Sequence, residues 1–260
     1  MSDLSALPAL LTIEGAVARI TLNRPSAGNS LSMDLVACLR ELFAGLAPRE
    51  DVKVIVISGA GGRIFSAGHD LNEFHGNEDL EFLEQDFAGI TALMQEVMAQ
   101  PQIVIAKVEG VATAAGCELV AACDIALAST VSRFGVPGVN IGFWCHTPQV
   151  PLSRQVGRKE AMLMLATGKL YPAEHALRIG LVNSLHEPDQ LDQAVEDLVT
   201  VIASKSAAVI RRGKRSFNRQ NGLSVADAYR VVREEAMENI VAPEANEGIA
   251  AFLEKRDPVW

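Results

Sequence analysis

The sequence predicts an α/β core of parallel strands joined by helical crossovers, followed by an all-helical tail. Three observations carry this reading. Residues 52–58 (VKVIVIS) and 103–108 are short, nearly continuous β-branched runs, the pattern of strands buried on both faces. Between them Leu83, Phe87, Ile90, Met94 and Val97 recur at helical spacing, and Pro101 ends the stripe. From Pro188 onward only helical periodicity remains. A strand–helix–strand order of this kind argues for parallel pairing with crossovers.

The elements follow in order. Residues 13–23 alternate, with Ala18, Ile20 and Leu22 on one face, and read as one strand. Leu35, Leu39, Leu42 and Leu46 mark an amphipathic helix. The strand at 52–58 is broken by Gly59, Gly61 and Gly62, and the helix and strand described above follow. Residues 114–121 are rich in small side chains and read as helix, 125–128 as strand, and 157–166 as a short helix. A helix at 172–179 has Pro in its first turn and Gly180 just past its end. A short strand at 181–185 closes the core, placed at residues 1–187. The segment 188–260 carries four helical patterns, at 191–203, 207–217, 224–240 and 244–256.

Composition narrows the function classes. The 260 residues carry a formal net charge of −9, which argues against nucleic acid as a partner. Every long apolar run is interrupted by Lys, Glu or Asp before it reaches membrane-spanning length, so no membrane partner is expected. The N-terminus has no basic region before an apolar stretch, and a cytoplasmic location is expected. The four cysteines, Cys38, Cys117, Cys123 and Cys145, form no C-x-x-C pair and read as reduced and buried, with no metal site.

Two segments carry chemistry. Residues 64–73 (IFSAGHDLNE) follow a buried strand and a glycine-rich turn, where open α/β folds place their ligands, and Gly68 permits close backbone approach. Residues 108–124 run from a strand through Ala and Gly into a helix. Small residues at that helix start leave backbone N–H groups open to a developing oxyanion, and the helix dipole adds positive potential. Glu118 lies one turn in among apolar residues, an environment that raises a carboxylate pKa and suits it to acid–base work. A glutamate there also serves as a plain helix-start cap or ion-pair partner.

Taken in order, these segments resemble the crotonase (enoyl-CoA hydratase/isomerase) superfamily over nearly the whole chain. The landmarks are ITLNRP with Asn29-Ser-Leu, FSAGHDL, AAGCEL with Cys123-Asp124, Thr167-Gly with AEHA and Gly180-Leu-Val, and EGIAAFLEKR near the end. The combination with Pro137-Gly-Val-Asn-Ile-Gly and the terminal RDPVW is similar to the enoyl-CoA hydratase domain-containing subgroup. The resemblance implies a ClpP-like spiral of ββα units with a C-terminal helical segment that assembles trimers or hexamers. It implies an acyl-CoA thioester substrate, coenzyme A being part of the substrate and no separate cofactor. It places the oxyanion hole at the backbone N–H groups of His69 and Ala115, with Glu118 as the acid–base residue. Ala27, Ser66, Ala67, His69, Asp70, Leu71, Asn72 and Ala115 would line the substrate path. Lys255 or Arg256 would meet nucleotide phosphates from a neighbouring subunit.

The pattern departs at one point. Hydration in this family uses two carboxylates, one that activates water and one that exchanges the α-carbon proton. Glu118 matches the first, but Gly138, in Phe134-Gly-Val-Pro-Gly, stands where the second is expected. Asp70, Cys145 and His146 are the candidate substitutes, and Gly138→Glu is expected to raise hydration. Thioester hydrolysis, decarboxylation and non-catalytic acyl-CoA binding remain alternatives. Phe74, Phe82, Phe87 and Trp144 are candidates for the acyl pocket.

Overall fold

The computed structural model describes residues 7–260. Two sheets form the core. Strands β1 (Ala9–Glu14), β2 (Val17–Leu22), β3 (Val54–Gly59), β5 (Ile103–Val108), β7 (Ile125–Ser129) and β10 (Ser184–His186) lie in the order β1-β2-β3-β5-β7-β10. Every pair in it is parallel except the β1–β2 hairpin. The smaller sheet has the order β4 (Ile64–Ser66), β6 (Val111–Thr113), β8 (Arg133–Gly135), β9 (Tyr171–Pro172).

The chain alternates between the sheets. After β3 and β4 it enters a short helix, α2 (Leu71–Phe74), and a long one, α3 (Leu80–Ala99). After β5 and β6 it enters α4 (Ala115–Ala122), and after β7 and β8 come a 3-10 turn (Pro137–Ile141), α5 (Gln149–Gln155) and α6 (Arg158–Thr167). These are three successive ββα turns of a spiral, as the resemblance implied. The first helix, α1 (Met33–Leu46), packs with α3 and α4 on one face of the large sheet. Its Ser32 cap accepts from the N–H of Leu35, and Leu35, Leu39, Phe43 and Leu46 are buried.

The structure changes several sequence expectations. The strand read over 13–23 is a hairpin: Gly15, at φ +56°, turns the chain between β1 and β2. The strand expected at 181–185 forms only at 184–186. The second sheet was not anticipated. Its members are two or three residues long, too short for alternation to register.

The helical tail begins where expected, with α8 (Leu191–Ala203), yet α8 is a layer of the core. Its Leu191, Val195 and Val199 cover Val17, Val54, Val56, Ile105 and Leu127 on the second face of the large sheet. After α7 (Ala173–Arg178) and β10, this helix completes the sandwich. The more polar helices are α9 (Ala207–Gln220), α10 (Val225–Ile240) and α11 (Pro243–Glu254).

Candidate active site

Strands β4 and β6 pair in parallel, so the loops that leave their carboxyl ends emerge side by side. Glycine lets those loops touch. Gly68 sits at φ +93°, and a Cβ there would stand 2.8 Å from Ala114 Cβ, 2.9 Å from Thr113 O and 3.0 Å from Ala115 N. A Cβ on Gly116 would stand 2.2 Å from Ser66 O. The peptide planes of residues 68–69 are thereby pressed against those of 114–115. Ala114 takes φ +49°, rare for a residue with a side chain, and turns the chain directly into α4. Among the described residues no hydrogen bond engages the N–H of His69 or of Ala115. Helix α4 has no side-chain cap, so its positive end is also left to the site.

Glu118 lies one turn into α4, all of whose residues are buried. Burial pushes its pKa up to about 7, opposed by one hydrogen bond, 2.9 Å, donated by Thr147 Oγ1 to Oε2. At neutral pH this carboxyl is poised between its two forms, the condition in which one group both gives and takes a proton.

Beside the loops runs a row of rings. The His69 imidazole packs on Phe74 and Phe87, with centroids 5.4 and 5.1 Å away. Phe87 continues to Phe143 at 5.9 Å, and Phe143 to His146 at 5.7 Å. His146 is the sequence neighbour of Thr147, so the row leads from the His69 loop to the partner of Glu118. Behind the row, Asp86 of α3 is buried, its Oδ2 3.5 Å from His69 Nε2. Both atoms are buried without a hydrogen bond. Burial pushes His69 down to about 4; burial and the charge of Glu73 push Asp86 up to about 6.

The other expected residues are dispersed. Ala27 and Ala67 lie on facing loops: Ala67 N–H donates to Gly28 O at 2.9 Å, and both alanines are exposed. Leu71 and Asn72 are exposed on α2. Ser66 is wholly buried, its Oγ accepting from the Gly68 N–H, so its side chain shapes the loop instead of facing a ligand. Asp70 is buried and receives Arg24 Nη2 at 2.9 Å, Ser30 Oγ at 3.0 Å and the Asn72 amide. Burial alone would raise its pKa, but those bonds from Arg24, Asn72 and Ser30 hold it below the ordinary value. Asp70 is thus a clamp between loops, locked as a carboxylate. Lys255 ends α11 exposed, in a left-handed conformation, and makes no hydrogen bond to these loops. Arg256 is tied to Glu247 and Glu254.

Two candidates around the missing carboxylate are corrected. Cys145 is buried, accepts a 3.4 Å bond from Gly138 N–H, and has its thiol pKa raised by burial. His146 is exposed and turned onto Phe143, so the two do not form a nucleophile–base pair. Gly138 itself lies in the 3-10 turn outside the left-handed region, but a Cβ there would meet Phe143 O at 2.3 Å and Cys145 Sγ at 2.9 Å. A glutamate cannot be restored at this position without moving backbone, so Gly138→Glu is not expected to raise hydration.

Sequence reasoning missed Asp86 and Thr147. Asp86 had a signal: it lies three residues after Leu83 and four before Ile90, a carboxylate on the apolar stripe of α3. Thr147 had none, because its contact with Glu118 spans 29 positions through an irregular loop.

A spiral of ββα turns, with paired free N–H groups beside a buried glutamate, defines a protein of the crotonase fold. The chain belongs to the enoyl-CoA hydratase/isomerase family, whose pattern matches residues 12–260. It is 40% identical over 247 residues to the enoyl-CoA hydratase domain-containing protein 3, mitochondrial, of Rattus norvegicus, covering 95% of this chain and 82% of that one. It is 32% identical to the short-chain-enoyl-CoA hydratase of Clostridium acetobutylicum, covering 95% of each. Its structure matches an enoyl-CoA hydratase of Mycobacterium smegmatis with TM-score 0.95 and 43% identity, over 97% of this chain and 98% of that one. Human enoyl-CoA hydratase domain-containing protein 3 matches at TM-score 0.92 and 38% identity, over 97% and 100%.

Proposed function

We propose that the protein is an acyl-CoA-processing enzyme that stabilises a thioester enolate between the N–H groups of His69 and Ala115, with Glu118 as an acid–base group. The observation that carries this is the forced contact of Gly68 with Ala114 and Ala115. It sets two unengaged N–H donors side by side at a helix start, one turn from a carboxyl poised near neutral pH. Such donors act where charge develops, on the oxygen of the enolate. Double-bond migration needs only this hole and one base, whereas addition of water needs a second proton-transfer group, which Gly138 does not supply. Isomerisation of an enoyl-CoA is therefore what the hole and Glu118 support on their own, and hydration of an enoyl-CoA requires a further proton-transfer group. In either reaction the acyl group lies along the row His69–Phe74–Phe87–Phe143.

The test compares wild type with Glu118→Gln on crotonyl-CoA and on a 3-enoyl-CoA. The expected result is turnover by wild type and a loss of roughly 100-fold or more in the variant. Equal background rates in both would leave acyl-CoA binding without catalysis as the better reading.

We further propose a trimer, or a hexamer of two trimers, with the tail helices at the subunit contact. Tyr229, Met237, Val241, Phe252 and Leu253 are all exposed on α10, on α11 and just past the end of α10, an apolar surface that a neighbouring subunit would cover. Light scattering giving a monomer mass at micromolar concentration would refute this.

A further inference from the structure

We infer that His69 and Asp86 form a proton-transfer dyad, in which Asp86 orients the imidazole through Nε2 and Nδ1 exchanges the α-carbon proton that the missing carboxylate would have handled. This deepens the proposed function and rests on it. The argument begins with geometry. His69 Nε2 and Asp86 Oδ2 face each other across 3.5 Å, both buried and both without a hydrogen bond. A shift of a few tenths of an ångström turns that gap into a charge-assisted bond from Nε2–H to the carboxylate. Phe74 and Phe87 pack on the ring, and Nε2 and Oδ2 are both buried, so no solvent competes for the contact. The other ring nitrogen, Nδ1, makes no hydrogen bond, and the side chain that carries it is 11% exposed. Asp86 thus selects the tautomer that leaves the Nδ1 lone pair free.

Position supplies the second step. The N–H of the same residue, His69, is half of the proposed oxyanion hole. A thioester oxygen held there carries its α-carbon only two bonds away, within the sweep of a side chain anchored at that residue. Glu118 approaches from α4, a different element, which leaves it free to serve the water.

The chemistry balances. In the dehydration of a 3-hydroxyacyl-CoA, Nδ1 takes the α-proton and the C–H electron pair becomes the enolate. The enolate returns to a carbonyl, its pair forms the α–β double bond, and the β-carbon–oxygen bond breaks. The departing hydroxyl takes the proton of Glu118 and leaves as water. His69 then returns its proton to Glu118 through solvent, and hydration is the reverse. The ionisation states suit these roles: burial keeps the imidazole neutral above about 4, and Asp86 becomes an anion above about 6. Glu118 still carries its proton up to about 7. Besides these, Glu73 on α2 faces Asp86 through its charge, and exposed His146 lies beyond Phe143.

The experiment measures two rates on each protein: exchange of the α-protons of butyryl-CoA in D2O, and hydration of crotonyl-CoA. For His69→Gln both should fall roughly 100-fold or more. Asp86→Asn should lower both by about 10-fold and abolish the rise of exchange near pH 6, a change that a packing defect would not produce. Glu118→Gln should lose hydration at least ten times more than exchange. If Glu118→Gln loses exchange while His69→Gln keeps it, the dyad is overturned and Glu118 handles the α-proton. If neither His69→Gln nor Asp86→Asn changes either rate, the pair is only a wall. Wild type that neither exchanges nor hydrates removes the dyad along with the reading beneath it. Should His69→Gln fail to fold, the Asp86→Asn pH profile decides alone.

Discussion

Two carboxylates set against this core, Asp86 fully buried and Asp124 with 22% of its side chain exposed, have surroundings that differ in kind. Asp124, at the start of β7, is fully employed. It accepts the Val104 N–H at 2.7 Å and Lys214 Nζ at 2.5 Å, and Lys214 also donates to Gln102 O at 3.0 Å. Asp86 has His69 at 3.5 Å and nothing bonded to Oδ2. Burial raises both pKa values, but at Asp124 the Lys214 cation opposes the rise, while at Asp86 the Glu73 charge adds to it. A satisfied pair is architecture: this one, buried at its lysine end, pins α9 to the large sheet. An unsatisfied one is a cost to folding, and it stands where the free N–H groups, the aromatic row and Glu118 converge. The lesson is that burial combined with incomplete hydrogen bonding separates the reactive carboxyls from the structural one.

The contrast predicts opposite signs for removing a partner and removing a buried carboxylate that has no cation beside it. Lys214→Met leaves Asp124, whose side chain is 22% exposed, without its cation. It should destabilise the fold by about 3 kcal/mol, the low end for breaking a buried pair because water reaches part of Asp124, read as a lower urea midpoint. A loss below about 1 kcal/mol would show that Asp124 is relieved by water and would break the comparison.

Glu118→Gln sharpens it from the other side. The folded-state pKa, about 7, lies above the ordinary 4.5. The native state therefore binds more protons than the unfolded state between those values, and wild-type stability falls as pH rises through 4.5 to 7. The neutral glutamine does not share that loss. The variant should match wild type below pH 4.5 and exceed it by roughly 3 kcal/mol at pH 8, while losing activity. Thermal unfolding at the two pH values checks this, and a difference independent of pH would sink it.

The turn at 138 provides a smaller effect. Gly138→Ala places a methyl 2.3 Å from Phe143 O, a backbone atom that cannot step aside cheaply. About 1–3 kcal/mol of destabilisation is expected, with Cys145 becoming more reactive to thiol reagents as the loop opens. Unchanged stability and unchanged Cys145 labelling would mean that the turn gives way without cost.

How much of this was legible in the sequence follows from range. The buried strands β3 and β5 and the helices α1, α3 and α8 announce themselves through residues a few positions apart. Glu118 and the glycines at 68 and 116 could be placed because their segment has a fixed order of residue types. Asp86 shows only as a charge on an apolar stripe, and whether it meets a lysine, an arginine or a histidine depends on how the β4 loop packs over α3. Asp70 misled for the same reason. It looks available in its motif, but Arg24 and Ser30, some 40 positions earlier, occupy it. Strands β4, β6 and β8 were invisible because three residues cannot display a period.

The smallest expected effect tests the one bond Glu118 possesses. Thr147 Oγ1 donates to Oε2 and is the influence that keeps the carboxyl from rising further. Thr147→Val retains the shape and removes the donor. The charged form loses a stabilising bond while the protonated form loses little, so the pKa should climb above about 7, by an amount matching one hydrogen bond of about 1 kcal/mol, or somewhat under one pH unit. Titration of the Glu118 side chain by carbon NMR reads this directly. In turnover, the pH limb set by Glu118 should move upward by the same amount, with a rate loss of roughly 3- to 10-fold from the freer rotamer. A limb that stays in place would show that the Thr147 bond does not persist in solution. Glu118 would then be as unsatisfied as Asp86, and the site would hold two unsatisfied carboxyls against the one satisfied at Asp124.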